Sequence, residues 1–158
     1  NLKIAWVGDG NNVVNSWINA ASVIGLDLVV ACPDNYGVNH HIIEAALVKN
    51  KNNIVFTNDP KEAVKNADVV YTDVWASMGD ENELSKRIIA FKGFQVNKDL
   101  LSRAKQDVMV MHCLPAHRGE EISEDVLEDE NNVFWDQAEN KRHMHKAILE
   151  SLILGPIK

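Results

Sequence analysis

The chain has 158 residues, 46% of them apolar and 25% charged, the composition of a single globular domain able to bury a core without disulfides or a structural metal. Its formal charge of -7, with the basic residues scattered, argues against a nucleic-acid partner and turns attention to small solutes. No window approaches the roughly 18 apolar residues of a membrane span, nothing at the start reads as a signal peptide, and two cysteines, Cys32 and Cys113, suit a reduced, cytoplasmic setting.

The first apolar run, "LKIAWVGD", begins almost at once, as expected of a domain cut from a longer protein. Like it, "LDLVVACP", "NIVFTND", "DVVYTDVW", "DVMVMHCLP" and "NNVFWDQ" are short, continuous and rich in branched residues, the pattern of strands covered on both faces. Helical patterns separate them. Val13, Val14, Trp17, Ile18 and Ala21 fall on one stripe, with Asn11 or Asn12 as cap and Gly25 as stop. A second helix fits Val38 to Lys49, and a third opens at "DPKEAVKNA", with Asp59 as cap and Pro60 in the first turn. Further helices fit "DENELSKRIIAF", "NKDLLSRA" and "SEDVLED", and a long last one runs from about Gln137 to Leu154. This order predicts one α/β domain over residues 1–158: a doubly wound, mainly parallel sheet of about five strands with helices on both faces, Rossmann-like. Ligands of such sheets bind beyond the carboxyl ends of the strands.

That rule selects "GDGNN", "CPDN", "TNDP", "TDVWASMGDE" and "HCLPAHRGEE". "GDGNN" invites a dinucleotide reading, but Val13 holds the third glycine position and the second strand ends in "ACP" in place of a ribose-binding acid. Gly8 and Gly10 are better read as a tight turn, whereas Asn12, not needed as a second cap, has an amide free to meet a ligand. Asp73 stands at the carboxyl end of its strand, where an ionised carboxylate can grip an ammonium group or stay solvated in a loop. Ser77, Met78 and Gly79 read as a flexible stretch able to close over a site. In an extended segment His112 and Cys113 point to opposite sides, which argues against a shared zinc ion. The pairs His40, His41 and His143, His145 lack ligand partners at useful spacing. Cys113 could be a nucleophile with His117 or His112 as base, a structural thiol, or a group that positions substrate beside the backbone of Leu114.

Taken in order, "GDGNN", "TDVWASMGDE", "HCLPAHRGEE" and "WDQAEN" resemble the second half of ornithine carbamoyltransferases, and the resemblance spans essentially the whole chain. It implies transfer of a carbamoyl group from carbamoyl phosphate to the δ-amine of L-ornithine, giving citrulline and phosphate, within arginine metabolism. It also implies two α/β domains and a homotrimer, with no metal, no cofactor and no covalent enzyme intermediate. By matching positions, Asn12 and Asp73 would hold the α-carboxylate and α-amine of ornithine, completed by Ser77 and Met78. Cys113, as the catalytic group, and Leu114 would lie beside the attacking amine and the carbamoyl phosphate.

Two departures stand out. No Ser-x-Arg-Thr-type phosphate motif occurs, so the carbamoyl-phosphate domain is absent from these residues and the chain alone is expected to be inactive. In "AENKRH", Lys141 replaces the arginine that usually contacts carbamoyl phosphate; lysine keeps the charge but loses the planar fork. Arg142 lies about 100° further round the helix. The final helix carries an apolar stripe of Ile148, Leu149, Leu152 and Ile153, expected to be exposed without a partner domain. The alternatives are a carbamoyltransferase for putrescine or a related amine, and a non-catalytic amino-acid-binding domain.

Overall fold

The computed structural model describes residues 2–49, 53–76, 83–130 and 132–155. Five strands, β1 (Lys3–Val7), β2 (Asp27–Ala31), β3 (Ile54–Thr57), β4 (Val69–Thr72) and β5 (Met109–His112), form one sheet in the order β3-β2-β1-β4-β5. All four pairings are parallel, with Ala5 opposite both Val29 and Val70. The chain winds outward from β1 in both directions, so the switch point of the topology lies between β1 and β4.

Successive strand residues point to opposite faces, and each face has its own core. Ile4, Trp6, Leu28, Val30, Val69 and Tyr71 pack with Val14, Ile18 and Ala21 of α1 (Asn12–Ile24) and Ala46 of α2 (His40–Lys49). Ala5, Val7, Ala31, Val70 and Val110 pack on the other face. There they meet Ala63 and Val64 of α3 (Pro60–Val64), Leu100 of α5 (Lys98–Leu101) and Val126 of α6 (Glu124–Leu127). Phe91, just after α4 (Leu84–Ala90), and Phe134, the first residue of α7 (Phe134–Leu154), join the same cluster.

The local signals worked where expected. Asn11 caps α1, accepting from the amides of Val13 and Val14, and Gly25 ends that helix at φ 75°. Asp59 caps α3, with Pro60 in its first turn. The sixth apolar run did not become a strand. "NNVFWDQ" instead opens α7 three residues before the expected start, because Asn132 accepts from the amide of Phe134 and the Phe134 ring is buried edge-on against His112. Among the described residues no helix is long and apolar enough to cross a membrane.

Gly10 is fixed by a close approach of backbone. A Cβ there would lie 2.3 Å from the carbonyl carbon of Gly37, while the Gly10 amide donates to Tyr36 at 2.8 Å. A Cβ at Gly37 would meet nothing within 4 Å. Gly10→Ala is therefore expected to lose about 1–3 kcal/mol of stability by overpacking, and Gly37→Ala to stay within about 0.5 kcal/mol of the parent. Equal losses in chemical denaturation would remove the close-approach argument.

On α7 the expected stripe is open to solvent: Ile148, Leu149, Leu152 and Ile153 are 48–78% exposed. The isolated 158-residue chain is expected to self-associate through it. Light scattering that finds a monodisperse monomer at high concentration would count against this.

Candidate functional site

Three strand ends converge beside the switch point. β1 leads into the turn carrying Asn11, β4 runs into Asp73, and β5 ends at His112, followed by Cys113. Asp73 is buried, and its carboxylate accepts from three neutral donors. The amide of Asn11 reaches Oδ2 at 2.8 Å, and the Cys113 thiol and the backbone amide of Val74 reach Oδ1 at 2.9 and 2.8 Å. A buried charge needs such donors to replace water, and these three bring no positive charge of their own.

The thiol is shaped in turn. Burial, then the hydrogen bond and the negative charge of Asp73, push Cys113 up to about 12, partly opposed by the positive charge of Lys141 on α7. Cys113 thus stays protonated at neutral pH, a poor nucleophile whose S–H donates to Asp73. Tyr71 is also pushed up, by burial first and then by the neighbouring Cys113, and its hydroxyl accepts from Gln137 Nε2 at 2.7 Å. Its ring stacks on Trp6 at 5.5 Å and meets Trp17 edge-on.

The turn after β5 departs from extended geometry. Leu114 has φ 54°, in the left-handed region, and its bond to Pro115 is cis. Against the expectation that His112 and Cys113 cannot face one ion, with Asp73 they offer three potential ligand atoms within 4.8 Å of one another. Both nitrogens of His112 are nevertheless engaged. Nδ1 accepts from the Leu114 amide at 2.8 Å, so Nε2 carries the proton and faces Glu121 Oε1 at 3.0 Å. Glu121 also accepts from the His117 amide at 2.6 Å, closing the segment from His112 to Glu121 around a fully buried pair.

The remaining expected residues are spread around this centre. Asn12 is exposed at the start of α1, beside Asn11, which does the capping and also holds Asp73. Leu114 is half-buried next to Cys113. Lys141 is exposed on α7, whereas Arg142 pairs with Glu139 at 2.9 Å. Ser77 and Met78 lie outside the described residues. His40 and His41 flank Glu44 and His143 flanks Glu139, all on exposed helix faces.

Several residues at the site carried no readable signal in the sequence. Arg87 on α4 reaches Asp9 at 3.1 Å, donates to the Trp75 carbonyl at 2.8 Å and stacks over Tyr36. It ties the turn after β1 to the segment after β4, and nothing in its own surroundings, "LSKRIIA", hints at that. Tyr71 and Gln137 look from sequence like a strand residue and a helix residue. Only Gln137 lay within a motif singled out, "WDQAEN".

A parallel sheet with polar groups gathered at its switch point defines a Rossmann-like ligand-binding α/β domain. The family model described as aspartate/ornithine carbamoyltransferase, Asp/Orn binding domain, matches residues 1–152. Ornithine carbamoyltransferase of Geobacter metallireducens is 54% identical over 152 residues, which cover 96% of this chain and 50% of that protein. The anabolic ornithine carbamoyltransferase of Pyrococcus furiosus is 50% identical over 99% of this chain and 50% of its own length. The solved ornithine carbamoyltransferase structure from Pyrococcus furiosus superposes with a TM-score of 0.89 at 49% identity, over 100% of this chain and 51% of that one. The anabolic enzyme from Campylobacter jejuni gives 0.89 at 39% identity, over 94% and 50%. The chain belongs to the aspartate/ornithine carbamoyltransferase family. It spans about half the length of the relatives it matches.

The raised thiol gives a direct prediction. At pH 8 Cys113 should react with iodoacetamide on the order of a thousandfold more slowly than an unperturbed cysteine, because its thiolate fraction is smaller by about three powers of ten. The stability it contributes as a neutral group is complete below about pH 9 and is lost as pH rises toward 12. Peptide mapping that finds Cys113 alkylated at the free-cysteine rate would show that the thiol is not held neutral.

Proposed function

We propose that this chain is the amino-acid-binding half of an ornithine carbamoyltransferase and that the complete protein converts L-ornithine and carbamoyl phosphate to L-citrulline and phosphate. The observation that carries this reading is Asp73, a buried carboxylate at a strand end held by three neutral donors. An ammonium group is the complement that such a site lacks. Family membership supplies the amino acid that bears it.

In this reading Asp73 takes the α-ammonium of ornithine, and Asn12, exposed at the start of α1, meets the α-carboxylate, with Ser77 and Met78 completing the pocket. Cys113 and Leu114 stand next to the δ-amine. That amine must be neutral to attack, and a partly desolvated pocket favours loss of its proton. Its lone pair forms the new N–C bond at the carbamoyl carbon. The tetrahedral intermediate then expels phosphate as the C–O bond breaks, and the nitrogen gives up its remaining extra proton. Cys113, held as a thiol, orients the amine by hydrogen bonding and forms no covalent bond. Lys141, exposed on α7, supplies charge toward carbamoyl phosphate, whose main binding groups come from the other domain. That domain would cover the apolar stripe of α7. The family resemblance extends the proposal to a cytoplasmic homotrimer.

The test uses the complete protein. With both substrates it is expected to form citrulline. Asp73→Asn keeps the size of the side chain but removes its charge, and is expected to raise KM for ornithine by about ten- to a hundredfold, the worth of a charged hydrogen bond. Faster carbamoylation of putrescine than of ornithine, or an unchanged KM in Asp73→Asn, would overturn the assignment.

A further inference from the structure

Among the described residues, two groups of side chains bring metal-ligating atoms together. In the first, Asp73, His112 and Cys113, both His112 nitrogens are engaged and the thiol donates to Asp73. The second is His117, Glu120 and Glu121, each offering one atom within 4.8 Å of the others. These three sit on a tight turn. The Glu120 amide donates to the His117 carbonyl at 3.1 Å, Gly119 turns the chain at φ 82°, and Gln95 Nε2 donates to the carbonyls of Gly119 and Glu120 at 2.8 and 3.0 Å.

Charge is out of balance in this turn. Glu121 is fully buried, and the donors that reach it, His112 Nε2 and the His117 amide, are both neutral and both go to Oε1. Oε2 of Glu121 and Oε2 of Glu120 are shut off from solvent without a hydrogen-bond partner. A carboxylate oxygen in that state is costly, and a second carboxylate beside it adds like-charge repulsion. Arg118, within the same turn, pairs instead with Glu124 and Glu128. His117 Nδ1 stands 3.6 Å from Glu120 Oε2, too far for a hydrogen bond. Two ligands bound about 2.0–2.2 Å from one tetrahedral ion lie about 3.3–3.6 Å apart, which this pair matches.

We propose that His117, Glu120 and Glu121 form a site for one divalent cation of the zinc class. An imidazole with two carboxylates suits such an ion, whereas magnesium and calcium take oxygen ligands. Its two charges cancel those of the carboxylates, and it supplies the partner that the two buried oxygens lack. The side chains of His117 and Glu120 are 48% and 31% exposed, so the ion enters from solvent and keeps water in its fourth position. Glu121 also holds His112, whose Nδ1 accepts from the Leu114 amide. The ion therefore braces the segment that carries Cys113 and Leu114 from behind, and it takes no part in the proposed transfer of the carbamoyl group.

The test is a calorimetric titration of zinc chloride into the complete protein carrying Cys113→Ala, stripped of metal beforehand with a chelator. This substitution removes the thiol of the first group, and Cys113→Ser takes its place if the alanine variant does not melt cooperatively. One zinc per chain is expected to bind at the turn. Adding His117→Ala or Glu120→Gln, both at partly exposed side chains, is expected to weaken that binding at least about tenfold. Zinc is also expected to raise the Tm of the parent variant and not that of the His117→Ala variant. No zinc uptake once the thiol is gone would overturn the proposal, leaving water or a shared proton between the carboxylates. Uptake that neither His117→Ala nor Glu120→Gln weakens would overturn it equally, and would place the ion on the exposed histidines of α2 or α7.

Discussion

A carboxylate can be buried only if the protein replaces the water it loses, and the arrangement around Asp73 is organised by that requirement. Its three donors come from the turn after β1, from its own strand end and from the residue after β5. Each must be brought there by a different part of the fold. The parallel pairing of β1 with β4 and of β4 with β5 aligns those strand ends at one edge of the sheet. A site at this place follows from where the chain reverses its winding direction.

The turn after β1 depends on close packing. Gly10 lets the backbone pass against Gly37, and Asn11 then divides its side chain between two tasks. Its oxygen caps α1 and its NH2 holds Asp73. The helix start and the site are therefore one device, and displacing either disturbs the other. Arg87 supports this turn from beneath through Asp9, while its contact with Trp75 ties in the segment that leaves β4.

On the other side the site rests on the junction of β5 with α7. The buried pair of His112 and Glu121 closes the turn that contains Leu114, and Gln137 caps the outer edge of β5 at His112. An open strand edge exposes unpaired backbone groups, and here the helix supplies partners: Gln137 to His112 and the Val133 amide to the Val110 carbonyl. Trp6 and Trp17 wall off the Tyr71 ring, and its hydroxyl meets Gln137 instead of solvent.

The strand runs, the Asn11 and Asp59 caps and the Gly25 stop were legible because each rests on local rules: side-chain period, a short polar cap, a glycine at positive φ. So was Asp73 as a candidate, since a charged residue directly after a buried strand must lie at the sheet edge. Local rules failed at "NNVFWDQ", where an apolar run became a helix start as Asn132 accepted from the Phe134 amide and the Phe134 ring packed edge-on against His112. They could not show that Cys113 meets Asp73, which follows from the register of β5 against β4 and not from anything local to His112 and Cys113. The sequence by itself determined the order and type of most elements and the strand ends that carry polar groups. Only the tertiary structure decided which of those groups meet, because the contacts of Asn11, Asp73, Cys113, Tyr71 and Gln137 span up to 66 residues of chain and depend on how the strands pair.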